Sequence, residues 1–159
     1  MKDRVVEELA WQMGRPVRYG GEYGGINART DYMCQIAAES LAPKVIEASD
    51  AFQRRILREP LGVVLILAPW NYPYLTTINT LVPALVAGNT VILKHSSQTL
   101  LAGERLAEAF HAAGIPEDVF QNVVLDHPTT EALIAARAFD FVNFTGSVAG
   151  GAAIERAAA

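Results

Sequence analysis

The chain has 159 residues, a net charge of -4 from 13 Lys+Arg against 17 Asp+Glu, and 51% hydrophobic residues. That apolar share lets a single domain of this length bury a core, which excludes wholesale disorder. An acidic balance without a basic stripe argues against nucleic acid as the main partner, because such binding rests on many Lys and Arg contacts to phosphates.

From Val5 the apolar positions Val5, Val6, Leu9, Ala10 and Met13 recur at helical spacing, and Gly14 with Pro16 stop the helix. Gly20, Gly21, Gly24 and Gly25 then predict a permissive loop. A second helix follows, with Ile26, Met33, Ile36, Ala37 and Leu41 on one face and its end before Pro43. Cys34 falls inside it and is expected to be a buried structural thiol. As the one cysteine, it excludes an internal disulfide framework and a cysteine zinc site. His95, His111 and His127 are scattered, so no metal site is predicted. Between Val45 and Arg58 the pattern weakens and charges accumulate, as in an exposed ribbon or arm that contacts another subunit.

From Leu61 short apolar runs alternate with longer helical patterns, the signature of strand-helix units around a parallel sheet. Strands are predicted at Val63–Leu67, Thr90–Leu93, Asn122–Leu125 and Phe141–Phe144. Helices are predicted at Leu75–Ala87, Thr99–Ala113, Thr129–Ala138 and Ser147–Ala159, with Gly88 and Gly114 at C-cap positions and Pro83 placed to kink the first. The fold class is therefore α/β, a Rossmann-like, doubly wound parallel sheet that is incomplete, since such a domain normally returns to another strand. The longest apolar stretch, Leu61 to Trp70, is about half a bilayer span, and the N-terminus is no signal core, so the expectation is cytoplasm without a membrane partner.

In an open α/β sheet ligands bind outside the carboxyl ends of the strands. The first strand exits into Ala68-Pro69-Trp70-Asn71-Tyr72-Pro73. Two prolines there can hold Asn71 as a preset donor toward a developing oxyanion; the alternative is a proline-braced helix start with Trp70 packed in the core. The second strand delivers Lys94, then His95, Ser96, Ser97 and Gln98. Lys94 suits ribose hydroxyls or a phosphate, or is a solvated strand end with Ser96 or Ser97 as N-cap, and His95 reads as a satisfied loop histidine. The fourth strand runs into Thr145-Gly146-Ser147, with Gly150 and Gly151 in the next helix, which suits a dinucleotide pyrophosphate. This is neither a Gly-x-Gly-x-x-Gly fingerprint nor a P-loop, and Ser147 lacks the elbow of a serine hydrolase. His127, beside Pro128 where a helix begins, reads as structural.

Four segments in order, Glu59-Pro60-Leu61-Gly62-Val63-Val64, Pro69-Trp70-Asn71-Tyr72-Pro73, Gly88-Asn89-Thr90-Val91-Ile92-Leu93-Lys94 and Phe144-Thr145-Gly146-Ser147, resemble the aldehyde dehydrogenase superfamily. Met13-Gly14-Arg15-Pro16 and Ala113-Gly114-Ile115-Pro116 also fit, and Lys94-His95-Ser96 is similar to succinate-semialdehyde dehydrogenase relatives. The resemblance implies that Asn71 donates to a thiohemiacetal oxyanion and that Leu67, Ala68, Pro69 and Trp70 line the cofactor cleft. It also implies that Lys94 holds the adenosine ribose, with Gly146 and Ser147 at the pyrophosphate.

Two departures bear on the cofactor. Many members carry a glutamate where this chain has Ser97; without that carboxylate a 2′-phosphate is not repelled, so NADP becomes plausible beside NAD. Leu125-Asp126-His127 stands where many relatives have glycine near the adenine, which leaves that end open. The cysteine nucleophile and glutamate base of the family lie downstream of the Thr-Gly-Ser segment, and Cys34 precedes every cofactor motif.

The expectation is thus N-terminal helices over 1–44, an arm resembling the oligomerisation ribbon over 45–60 and an NAD(P)-binding core over 61–159, with the catalytic domain absent. A full enzyme of this kind would be a homo-oligomer that oxidises a small-molecule aldehyde to an acid. This chain alone is expected to be inactive, the alternative being a non-enzymatic nucleotide-binding or partner-binding remnant.

Overall fold

A computed structural model describes residues 2–159. Helix α1 (Lys2–Met13) turns Val5, Val6 and Leu9 inward and ends at Gly14, whose φ of +70° suits a residue without a Cβ. A short 3-10 turn at Val17–Tyr19 leads into α2 (Tyr23–Leu41). Gly24 and Gly25 belong to the first turn of α2 and not to the predicted loop. Neither is required for space: a Cβ on Gly24 would meet nothing within 4 Å, and one on Gly25 would make an ordinary contact with the Leu75 side chain at 3.6 Å.

Cys34 is exposed, which corrects the expectation of a buried thiol. Only one stripe of α2, including Ile26 and Met33, packs on the core, and Cys34 is turned about 100° from Met33 around the helix. Strands β1 (Lys44–Ala48) and β2 (Gln53–Ile56) then pair antiparallel as a ribbon exposed along its whole length.

The main sheet comprises β3 (Val63–Leu67), β4 (Thr90–Lys94), β5 (Phe120–Val123) and β6 (Phe141–Phe144), all parallel in the order β5-β4-β3-β6. Between them run α3 (Pro73–Val86), α4 (Leu100–Ala112) and α5 (His127–Ala135), and α6 (Val148–Ala158) follows β6. Alternation along β3 splits the core. Val64 and Ile66 face a cluster with Leu9, Ile78, Leu81 and Leu106, while Leu65 and Leu67 face Ile134 and, beyond it, Ile154. Helices therefore cover both faces, as a nearly continuous apolar strand requires.

Several predicted boundaries move. β5 begins at Phe120 because that ring is fully buried against α4, while Val124, counted as strand from its β-branching, is 63% exposed. α5 starts earlier because Asp126 caps it, its carboxylate accepting the Thr129 N–H at 2.8 Å, and Pro128 sits in the first turn where its missing N–H costs nothing. It ends earlier because Arg137 takes a left-handed φ of +56°. Helix α3 continues through Pro83 to Val86.

Two polar residues fix where β3 begins. Asn89 accepts from the N–H groups of Leu61 and Gly62 at 2.6 and 3.1 Å, and Asp140 accepts from Val63 N–H at 2.7 Å. Gly62 has φ +117°, and a Cβ there would overlap the Asp140 carboxylate. Gly62→Ala is therefore expected to lower stability by about 1–3 kcal/mol, read as a drop in the urea midpoint. A midpoint equal to wild type would show that neither the backbone angle nor the carboxylate contact matters.

Candidate functional site

The chain runs outward from β3 through β4 to β5 and then returns to β6 on the other side of β3. Connections leaving β3 and β6 thus diverge to opposite faces, and a crevice opens at their carboxyl ends. A cavity of about 600 Å³ lies there.

Three backbone bonds continue the ladder past the strand ends and stitch the exits together. Ala68 N–H donates to Lys94 O, Ser96 N–H to Ala68 O and Thr145 N–H to Leu67 O, each at 3.1 Å. In register, Leu67 stands between Lys94 and Phe144.

Every site residue singled out from the sequence lines this one cavity. The β3 exit supplies Leu67, Ala68, Pro69, Trp70 and Asn71; the β4 exit supplies Lys94 and Ser97; the β6 exit supplies Gly146 and Ser147. Trp70 is 48% exposed, so the alternative of a core-packed indole is set aside.

Asn71 has a defined orientation. Its Oδ1 accepts the Tyr72 N–H at 3.0 Å. A backbone N–H can only donate, so the atom facing it is the oxygen, and Nδ2 is left as the free donor of this cavity-lining residue.

Lys94 is 8% exposed overall and forms no ion pair among the described residues. Burial pushes its ammonium below the usual lysine range, with the attraction of Asp126 pulling the other way. A buried cation next to an open cavity calls for hydroxyl or anionic partners from a ligand. Ser96 is the local cap, its Oγ accepting from Gln98 N–H at 3.4 Å. Both Ser96 and the neighbouring Ser97 line the cavity.

His95 turns away from the cavity and is 1% exposed. Its Nε2 lies 3.1 Å from the Pro73 carbonyl and its Nδ1 3.1 Å from Thr99 Oγ1. Because the carbonyl can only accept, Nε2 carries the proton and Thr99 donates to Nδ1. Burial, with a further push from Lys94 and against the pull of the Pro73 bond, lowers its pKa to about 4. It is a satisfied histidine that ties the β4 exit to the start of α3.

At the β6 exit, Ser147 caps α6 by accepting from Gly150 N–H at 3.1 Å. The N–H groups of Val148 and Ala149, in the first turn, are left pointing out of the helix, where the dipole favours an anion. The glycines there serve a purpose the sequence did not show: Cβ atoms on Gly146 and Gly150 would come within 2.5 and 2.8 Å of Phe144 Cζ. The Phe144 ring occupies the space that side chains would take, and the backbone stays open toward the cavity.

Two helices add further lining residues, of which the sequence points only to Gly150 as a binding residue. His127, Thr130 and Glu131 reach the cavity from α5, and Gly150, Ala153 and Ile154 from α6. Each set has the i, i+3, i+4 spacing of one helical face, a signal that was legible once the helices were placed. His127 thus stands on the cavity wall, in the first turn of α5.

A doubly wound sheet with a crevice at its switch point, an amide on one side and a helix N-terminus on the other, is the arrangement in which dinucleotide-binding proteins hold their ligand. Within that class, the sequence model of the aldehyde dehydrogenase family matches residues 1–159, and the chain belongs to this family. It is 33% identical to the succinate-semialdehyde dehydrogenase [NADP(+)] of Deinococcus radiodurans, over 96% of this chain and 32% of that protein. Among solved structures it resembles the succinic semialdehyde dehydrogenase of Streptococcus pyogenes in complex with NADP+, with a TM-score of 0.84 and 28% identity over 98% of this chain and 34% of the other. The NAD-dependent aldehyde dehydrogenase of Sinorhizobium meliloti superposes with a TM-score of 0.90 and 31% identity over 99% of this chain and 32% of that one. The chain spans about a third of the length of the relatives it matches. Among the described residues, no helix is long and apolar enough to cross a membrane.

Proposed function

We propose that this chain is the NAD(P)-binding part of an aldehyde dehydrogenase that converts an aldehyde, succinate semialdehyde among the candidates, to its carboxylic acid. The observation that carries the reading is Lys94: a buried ammonium without an ion-pair partner among the described residues, at the mouth of the cavity that also holds Asn71. Lys94 and Ser97 hold the adenosine ribose, the open N–H groups at the start of α6 hold the pyrophosphate, and Leu67, Ala68, Pro69 and Trp70 wall the cleft. Asn71 Nδ2 donates to the aldehyde-derived oxyanion. A bound nicotinamide dinucleotide supplies the hydride acceptor.

Ser97 offers a hydroxyl in place of a carboxylate, so NADP and NAD are both accepted. The S. pyogenes relative in complex with NADP+ and the S. meliloti relative described as NAD-dependent support that breadth. Cys34 stands on the exposed side of α2 and does not line the cavity, so by itself the chain binds nucleotide without oxidising aldehyde. The assignment of 1–44 to N-terminal helices, 45–60 to an arm and 61–159 to the nucleotide-binding core belongs to the same proposal. So do a cytoplasmic location, no role for nucleic acid and homo-oligomer formation through the β1–β2 ribbon.

Calorimetric titration with NAD+ and NADP+ tests it. Saturable binding of both is expected, with no reduced nicotinamide formed on adding succinate semialdehyde. Absence of binding by either dinucleotide, or aldehyde oxidation by the chain alone, would count against it.

A further inference from the structure

We propose that Arg15 and Glu22, an ion pair contributed by the segment between α1 and α2, are positioning residues that set the direction of the Asn71 carboxamide. Glu22 is 7% exposed, and a carboxylate that deep is tolerated only when its oxygens are fully used. They are. Oε1 accepts from Arg15 Nη1 at 2.7 Å, while Oε2 accepts from the N–H groups of Tyr74 and Leu75 at 3.0 and 2.6 Å.

Those two N–H groups belong to the first turn of α3, whose own N-cap residue, Tyr72, makes no side-chain cap bond. Glu22 therefore acts as the helix cap from outside, with its negative charge at the positive end of the α3 dipole. Arg15 completes the clamp: its second terminal nitrogen, Nη2, donates to the Asn71 carbonyl at 2.6 Å, and its guanidinium lies over the Tyr72 ring, 4.9 Å from the centroid.

The geometric consequence is specific. The Asn71 carbonyl is held by Arg15, the start of α3 is held by Glu22, and Tyr72 N–H, between these two anchors, pins Asn71 Oδ1. With these three points fixed, the carboxamide is held with Oδ1 on the backbone of its own loop, which leaves Nδ2 as the free donor of a residue that lines the cavity. A planar guanidinium can serve the carboxylate and the carbonyl at once, whereas an ammonium cannot span both in that fork. The catalytic meaning of the clamp rests on the proposed role of Asn71; the clamp itself does not.

Amide hydrogen exchange on the 15N-labelled chain tests the proposal, with Tyr72 N–H as the local reporter and Leu65 and Val91, in β3 and β4, as core controls. In Arg15→Lys, Tyr72 is expected to exchange at least about tenfold faster while Leu65 and Val91 stay within about twofold of wild type. Glu22→Gln is expected to add the same acceleration at Tyr74 and Leu75. If Glu22→Gln does not fold, Arg15→Lys decides alone.

The proposal is overturned if Tyr72 stays within about twofold in Arg15→Lys, if the core amides accelerate by the same factor as Tyr72, or if Arg15→Lys itself unfolds, since the last two outcomes make the pair a general stabiliser. Titrating NADP+ into the wild-type chain keeps the two readings apart. Failure to bind would sink the cofactor assignment and leave the exchange pattern, and hence the clamp, standing.

Discussion

Replacing Lys94 with methionine is expected to weaken NADP+ binding by roughly 10- to 100-fold, the loss of one charge-assisted hydrogen bond of about 1.5–3 kcal/mol. Methionine keeps most of the apolar stem, which matters because Lys94 is 8% exposed and packs at the end of β4. The substitution also removes a buried cation, so the fold should be no less stable than wild type. NAD+ binding should fall less than NADP+ binding, because the 2′-phosphate adds an anion that Lys94 is placed to meet. Calorimetry on the two proteins checks both statements. Equal affinities for wild type and variant would move the adenosine end away from β4.

The second large effect is pH. His95 titrates at 6.5 in an unfolded chain and at about 4 in the fold, because burial disfavours the imidazolium. Its pKa is depressed on folding, so between these values the unfolded state binds the extra proton and stability falls as pH falls. The contribution is intact above pH 6.5 and is lost progressively toward pH 4. Moving from pH 7 to pH 5 crosses about one and a half pKa units of this window and costs about 2 kcal/mol.

Carboxylates do not confuse the measurement. Burial raises the Glu8 carboxyl, but Arg105 and Arg4 pull it to a net value below 4.5, so its own contribution is lost at lower pH. Urea unfolding at both pH values should show the loss in wild type and nearly none in His95→Gln, which can still donate to the Pro73 carbonyl and accept from Thr99. The same pH dependence in both proteins would remove His95 from the account.

The four strands and the three exit loops were legible because a parallel strand buried on both faces leaves a continuous apolar run, as in Val63–Leu67, and because glycine marks helix ends such as Gly88. Boundaries were less so. Phe120 looked like loop since only its three-dimensional neighbour, the ring of Phe110 at 5.4 Å, makes it core. Cys34 looked buried because free thiols usually are, whereas α2 covers the core with a single stripe.

The parts of the site that sequence could not reveal depend on long-range contacts. Nothing local to Glu22 says that it caps a helix beginning at Pro73, and nothing in Thr145-Gly146-Ser147 says that a phenylalanine ring lies beneath the glycines. The reach of α5 into the cavity through His127, Thr130 and Glu131 follows from helical spacing, but only after Asp126 is recognised as the cap that sets the helix phase.

On the proposed function, one crevice at the carboxyl ends of β3, β4 and β6 receives the dinucleotide. Mapping backbone amide shifts of the 15N-labelled chain during titration with NADP+ tests it most directly. Saturable shifts are predicted at Ala68, Trp70, Asn71, Lys94, Ser97, Gly146 and Ser147, with β1 and β2 unmoved. Shifts confined to the β1–β2 ribbon or to α2, or no shifts at all, would contradict it.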